Sequence, residues 1–168
     1  MVICQAVYNA GMDEPQPLIL TLQLDPASFA TLDALRRAHF PRSRNLVPAH
    51  ITLFHALPGA EEAPIAAALA GLAEATAPLD LVVARPRFLG RGVAFDVESP
   101  ALLALRGELA RGWAGWLSNQ DRQRYRPHVT IQNKVAPEAA RALFAELEAG
   151  WRPLAGRGAG LLLWRYRG

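Results

Sequence analysis

Leucines alternate with other residues along Leu18 to Leu24, with Ile19, Thr21 and Gln23 between them. This period of two predicts a strand buried on one face. Asp25-Pro26 then opens a helix through about His39, because aspartate caps a helix N-terminus and proline fits its first turn. Pro41 ends it, and a basic loop over Arg42 to Asn45 leads into a second β-branched run, Val47 to Phe54, which closes at Pro58-Gly59. Glu61 to about Ala75 is rich in Ala and Leu and predicts a helix. Leu79 to Ala84 and Arg87 to Leu89 predict short strands around Pro86.

The same order then starts again. Gly92 to Glu98 predicts a strand, and Ser99-Pro100 an N-cap with proline behind it. Leu102, Leu105, Leu109, Trp113 and Trp116 mark one apolar helical face. A polar, basic loop, Asn119 to Arg126, leads into an apolar run at His128 to Gln132. Pro137 opens a further helix, and strands are expected at Trp151 to Ala155 and Leu161 to Tyr166. Residues 1 to 16 read as a lead-in with an edge strand around Val2 to Tyr8. The expected fold class is α+β: one bilobal domain over residues 1–168, with pseudo-symmetric β-α-β-α-β-β halves at 17–90 and 91–168. Their antiparallel sheets would surround a central cleft.

Each half carries a histidine two residues before a threonine, in His50-Ile51-Thr52-Leu53 and His128-Val129-Thr130-Ile131. On a strand, His and Thr then share one face, while Ile51 and Leu53, or Val129 and Ile131, share the other. The chain has four His and five Thr, so two such pairings by accident have a probability on the order of 1%. A duplicated fold would bring the two strands side by side along a shared groove. Two imidazoles there suit attack on a phosphodiester: a neutral one takes a proton from the nucleophile, and a protonated one gives a proton to the leaving oxygen. Each threonine hydroxyl can donate to a non-bridging phosphate oxygen.

These motifs, the second preceded by Tyr125-Arg126-Pro127, resemble those of the two-histidine (2H) phosphoesterase superfamily, and within it the bacterial 2′-5′ RNA ligase and cyclic nucleotide phosphodiesterase branch. The resemblance implies metal-independent action on 2′,3′-cyclic phosphates or 2′-5′ linked phosphodiesters, commonly leaving the 2′-phosphate. It makes His50 and His128 the acid and base, Thr52 and Thr130 the phosphate hydrogen-bonders, and RNA or a nucleotide the partner. Members of that branch often carry an arginine shortly after the second motif. Here Gln132-Asn133-Lys134 follows; if the strand continues, Gln132 and Lys134 stay on the His128 face and Lys134 takes the cationic role.

Phe54 is expected on the cleft side, where it would stack a nucleobase or form groove wall. Tyr125 and Arg126 are candidate substrate contacts. Arg42, Arg44, Arg122 and Arg124, in the loops feeding the two motifs, could form a basic rim for RNA, against the alternative of solvated loop charge. His55 is expected on the opposite face or past the strand end, with a structural role. The net charge of +3 rests almost wholly on arginine, with Lys134 the one lysine. Arginine suits phosphate, although the bias also fits the base composition of a genome.

No CxxC, HExxH or third-histidine spacing points to a metal, so no cofactor is expected. The single Cys4 excludes an internal disulfide framework, no apolar run approaches the ~18 residues of a membrane span, and Met1 to Ala10 lacks a basic leader region. A cytoplasmic monomer is expected. The competing readings are an enzyme for another small nucleotide, such as ADP-ribose cyclic phosphate, and a non-catalytic RNA-binding module.

Overall fold

The structure, a computed structural model, describes residues 16–166 and the backbone of residues 2–5. Val2–Gln5 is an edge strand, β1, parallel to the last strand of the chain; the remainder of the expected lead-in strand, to Tyr8, lies outside the described residues. In Leu18–Leu24 (β2) all four leucines are buried. Asp25 caps helix α1, Pro26–His39, by accepting the N–H groups of Ala27 and Ser28. A 3-10 turn at Arg42–Arg44 leads to strand β3, Ile51–Leu57, and another at Gly59–Glu61 to helix α2, Glu62–Ala75. Strand β4, Leu79–Phe88, completes the first half. The second half repeats the order with β5, Val93–Glu98; α3, Pro100–Gly112, capped by Ser99; β6, His128–Gln132; α4, Pro137–Gly150; and β7, Leu154–Arg165.

The α+β class and the repeating order stand as expected, but each half ends in one long strand where two short ones were expected. Pro86 is accommodated inside β4 because pairing with β7 covers only Leu79 to Val83, and from Arg85 to Phe88 the strand pairs with β5 alone. Proline lacks an N–H to donate, so it is tolerated where one side of a strand has no neighbour.

The strand order is β1-β7-β2-β3-β6-β5-β4, with β7 pairing also to β4. The six antiparallel strands therefore close into a ring, with β1 outside it. β7 passes from one neighbour to the other at Gly158, which pairs with Leu79 of β4 and with Leu24 of β2. A Cβ there would stand 2.6 Å from a Leu22 methyl, so a side chain at the crossing would force Leu22 to shift. Helix α1 packs on β6 and β7, and α4 on β4 and β5. Leu20, Ile51, Phe95, Val129 and Ile131 are fully buried in the core that results. No helix among the described residues is long and apolar enough to cross a membrane.

Candidate active site

Strands β3 and β6 meet as antiparallel neighbours through the pair Ile51 and Val129. Paired residues share a sheet face, and both of these are fully buried, so the adjacent His50, Thr52, His128 and Thr130 belong to the other face. In this register His50 stands across from Thr130, and Thr52 across from His128. All four are half-buried. The neighbouring strands extend the two rows: Thr21 of β2 pairs with Thr52, Asp96 of β5 with His128, and Ala94 with Thr130. On β4, Arg85 pairs with Asp96 and Arg87 with Ala94.

Each histidine is held in the same way. The Nδ1 of His50 lies 2.7 Å from the carbonyl of Pro48, and that of His128 lies 2.8 Å from the carbonyl of Arg126. A carbonyl can only accept, so Nδ1 carries the hydrogen and Nε2 is left for proton exchange. Burial lowers both imidazoles below their usual pKa. The charges of Arg36, His128 and His55 push His50 further down; those of Arg87 and His55 act likewise on His128, opposed by Asp96.

Several sequence expectations need correction, and β-bulges account for most of them. Along β2 and β3 the pairing moves from Thr21–Thr52 to Leu20–Phe54 and then to Leu18–Leu57, so β3 carries extra residues. Leu53 is absorbed in the bulge, and Phe54 turns inward. Its ring is fully buried, 4.4 Å beneath the Arg106 guanidinium and edge-on to Trp113 at 5.4 Å. Phe54 is thus neither groove wall nor a platform for a base. The same shift brings His55 round to the HxT face, against the expectation that it points away. Its Nδ1 lies 3.0 Å from Asp121 Oδ1, with the side chain 41% exposed.

A further shift, from Ala94–Thr130 to Val93–Gln132, turns Gln132 off the His128 face. It is buried, and its Oε1 has no hydrogen-bond partner among the described residues. β6 ends there, so Lys134 lies beyond the strand, exposed and with a left-handed φ of 58°. The cation beside His128 is instead Arg87, whose Nη1 lies 2.9 Å from Asp96. Tyr125 packs 5.2 Å from Arg106 with its hydroxyl buried, and burial pushes its phenol well above the ordinary pKa. Arg126 is exposed and enters the site through its carbonyl. The four rim arginines, Arg42, Arg44, Arg122 and Arg124, are all exposed.

Four supporting residues escaped the sequence reading. Asp33 of α1 accepts the N–H of Ala49, immediately before His50, at 2.9 Å. Arg36 donates to Asn45 Oδ1, to the carbonyl of Val47, and across to the carbonyl of Thr130 at 2.6 Å. Arg106 of α3 makes the reciprocal crossing, donating to the carbonyls of Leu53 and Asp121. One arginine from each half thus grips the strand that carries the other half's motif. Asp121 in turn accepts the N–H groups of His55 and Ala56 and the hydroxyl of Ser118, tying the loop before β6 to β3. A trace of this existed in sequence: Arg36 and Arg106 each lie four residues beyond a core leucine, Leu32 and Leu102, on an apolar helical stripe.

Among the described residues, no three His, Cys, Asp or Glu side chains gather as a metal site. Residues 24–168 match the model of the 2′-5′ RNA ligase superfamily. The crystal structure of TT0787 of Thermus thermophilus superposes with a TM-score of 0.61, covering 88% of this chain and 86% of that one at 20% identity, a likeness of fold. No curated protein sequence matches the chain.

Proposed function

Since the chain belongs to the 2′-5′ RNA ligase superfamily, we propose that it hydrolyses 2′,3′-cyclic phosphates of RNA or nucleotides to 2′-phosphates without a metal, acting as a cytoplasmic monomer. The observation that carries this reading is the matched pair of Nδ1–H to carbonyl hydrogen bonds on adjacent strands, which leaves two Nε2 atoms for acid–base work. A neutral imidazole takes a proton from water as the water oxygen bonds to phosphorus. The bond from phosphorus to the 3′-oxygen breaks, and the other imidazole, protonated, supplies that oxygen with its proton. The two histidines exchange roles in protonation, and further proton exchange with solvent restores them.

Thr52 and Thr130 donate to the non-bridging oxygens as charge builds there. Their placement across from the opposite histidine puts one hydroxyl beside each imidazole. Binding of the anionic phosphate between the histidines raises both from their depressed pKa values, which supplies the protonated partner. If a 5′-hydroxyl of RNA replaces water as the nucleophile, the same bond changes produce a 2′-5′ linkage, so ligation needs no added energy source beyond the cyclic phosphate.

The test is incubation of the protein, with EDTA present, with the four nucleoside 2′,3′-cyclic phosphates and a short RNA ending in one, separating 2′- from 3′-phosphate products. Turnover to 2′-phosphate that falls at least a hundredfold in both His50→Ala and His128→Ala is expected. Loss of activity on chelation would defeat the metal-free scheme. No turnover of any of these by the folded protein would shift the reading to another small nucleotide, such as ADP-ribose cyclic phosphate, or to an RNA-binding module.

A further inference from the structure

His55 has no role in the scheme above, yet it is built into the same face. The β3 bulge brings it onto the side that carries His50 and Thr52, and Asp121 fixes its ring from behind at Nδ1, 3.0 Å away. The same carboxylate oxygen also accepts the His55 backbone N–H at 2.9 Å, so ring and main chain are held together. Asp121 is itself buried and further anchored by Ser118 and by the Ala56 N–H. This is the arrangement in which a carboxylate orients an imidazole and leaves its Nε2 for a second partner.

Its position along the strand says what that partner is. His55 lies three residues beyond Thr52 with extra chain taken up in the bulge, about 7–10 Å along β3. That is too far to share the phosphate held between His50 and His128 and is comparable with the span of one nucleotide. Its charge is nonetheless felt at both of those histidines, which places all three in one electrostatic field. The loop that supplies Asp121 also carries the exposed Arg122 and Arg124. An open hollow of about 400 Å³ is lined by Pro17, Ala56, Pro58, Trp116 and Ser118, the last of which is bonded to Asp121.

The geometry points to a second phosphate subsite, in which His55, oriented by Asp121, binds the phosphodiester one nucleotide removed from the reacting group. The imidazole turns Nε2 to that phosphate as a hydrogen-bond donor while Asp121 holds the ring at Nδ1. The inference deepens the reading above and rests on it: the site takes the end of an RNA strand in preference to a mononucleotide.

The experiment measures binding of uridine 3′-phosphate and of the dinucleotide UpU 3′-phosphate by calorimetry, with wild type, His55→Ala and His55→Gln, each checked for folding by its thermal midpoint. Wild type is expected to bind the dinucleotide at least tenfold more tightly. The ratio should fall to threefold or less in His55→Ala and be partly restored in His55→Gln, which keeps a side-chain donor. Equal binding of the two molecules by wild type would overturn the subsite, as would a ratio unchanged in His55→Ala. Turnover of the corresponding cyclic phosphates is followed in parallel: its absence would defeat the hydrolytic reading, while the binding ratio would still decide the subsite.

Discussion

Asp121→Asn puts a number on what one loop carboxylate contributes. Asp121 is buried and accepts from two backbone N–H groups, from the His55 ring and from the Ser118 hydroxyl. Burial alone would raise its pKa, but the hydrogen bonds from His55, Ser118 and Ala56 outweigh it and hold the group at about 2. The fall from 3.8 to about 2 corresponds to about 2.4 kcal/mol at neutral pH, of which solvent screening leaves about 1–2 kcal/mol. Asparagine removes the charge and sets its NH₂ against a backbone N–H, of Ala56 or of His55, that can only donate, at a further cost of about 1–3 kcal/mol. The variant should therefore be about 2–5 kcal/mol less stable at pH 7.

The pH dependence distinguishes charge from shape. Because the folded-state pKa is depressed, the share due to charge is fully present above about pH 4. It is lost as the pH falls towards 2, where Asp121 takes up its proton in the folded state too. Urea unfolding of wild type and variant at pH 7, 4 and 2.5 should show a gap that changes little down to pH 4, then shrinks by most of that share. A gap below 1 kcal/mol at pH 7, or one identical at pH 7 and 2.5, would refute the argument.

Three other outcomes follow from the geometry. Burial and neighbouring cations depress the imidazoles of His50 and His128, so under the proposed scheme kcat/KM should peak below pH 6.5; an optimum above 7.5 would contradict the electrostatics of the site. Arg87→Met removes a cation near His128 and frees Asp96 from an ion pair, two changes that both raise the His128 pKa. Proton NMR titration should show that rise, and a fall would show that Arg87 acts otherwise. Gly158→Ala forces a methyl against Leu22 at the β7 crossing and should destabilise the fold by about 1–3 kcal/mol; an unchanged thermal midpoint would mean that the crossing has slack.

Regular alternation made much of this legible. Leu18 to Leu24, the Asp25-Pro26 and Ser99-Pro100 helix starts and the placement of both HxT motifs on one face all follow from local rules that the structure obeys. Alternation misleads where a strand holds an extra residue. Phe54 and His55 exchanged faces for that reason, and the adjacent apolar pair Leu53-Phe54 is the one sign of it in the sequence. Gln132 carries no such sign, because its shift depends on how β5 meets β6. Pro86 and the glycines of β7 look like breaks until the neighbouring strands are known. Asp121, Arg36 and Arg106 bond to backbone far away in sequence, which periodicity within one element cannot reveal.

The shared strand β7 also governs how the molecule can come into being. Leu18 pairs with Arg165, 147 positions later, and Leu79 with Gly158, so the ring closes through contacts among the most distant in the chain. Closing a loop of that length costs about 4 kcal/mol in chain entropy before any pairing offsets it, and topologies dominated by such contacts fold slowly. Until β7 docks, β2 and β4 each present an unpaired edge, the kind of surface that invites association between chains. The closed ring, with the face that carries both motifs, is accordingly acquired in a late, concerted step, and the interval before that step is when the nascent protein is most exposed to aggregation.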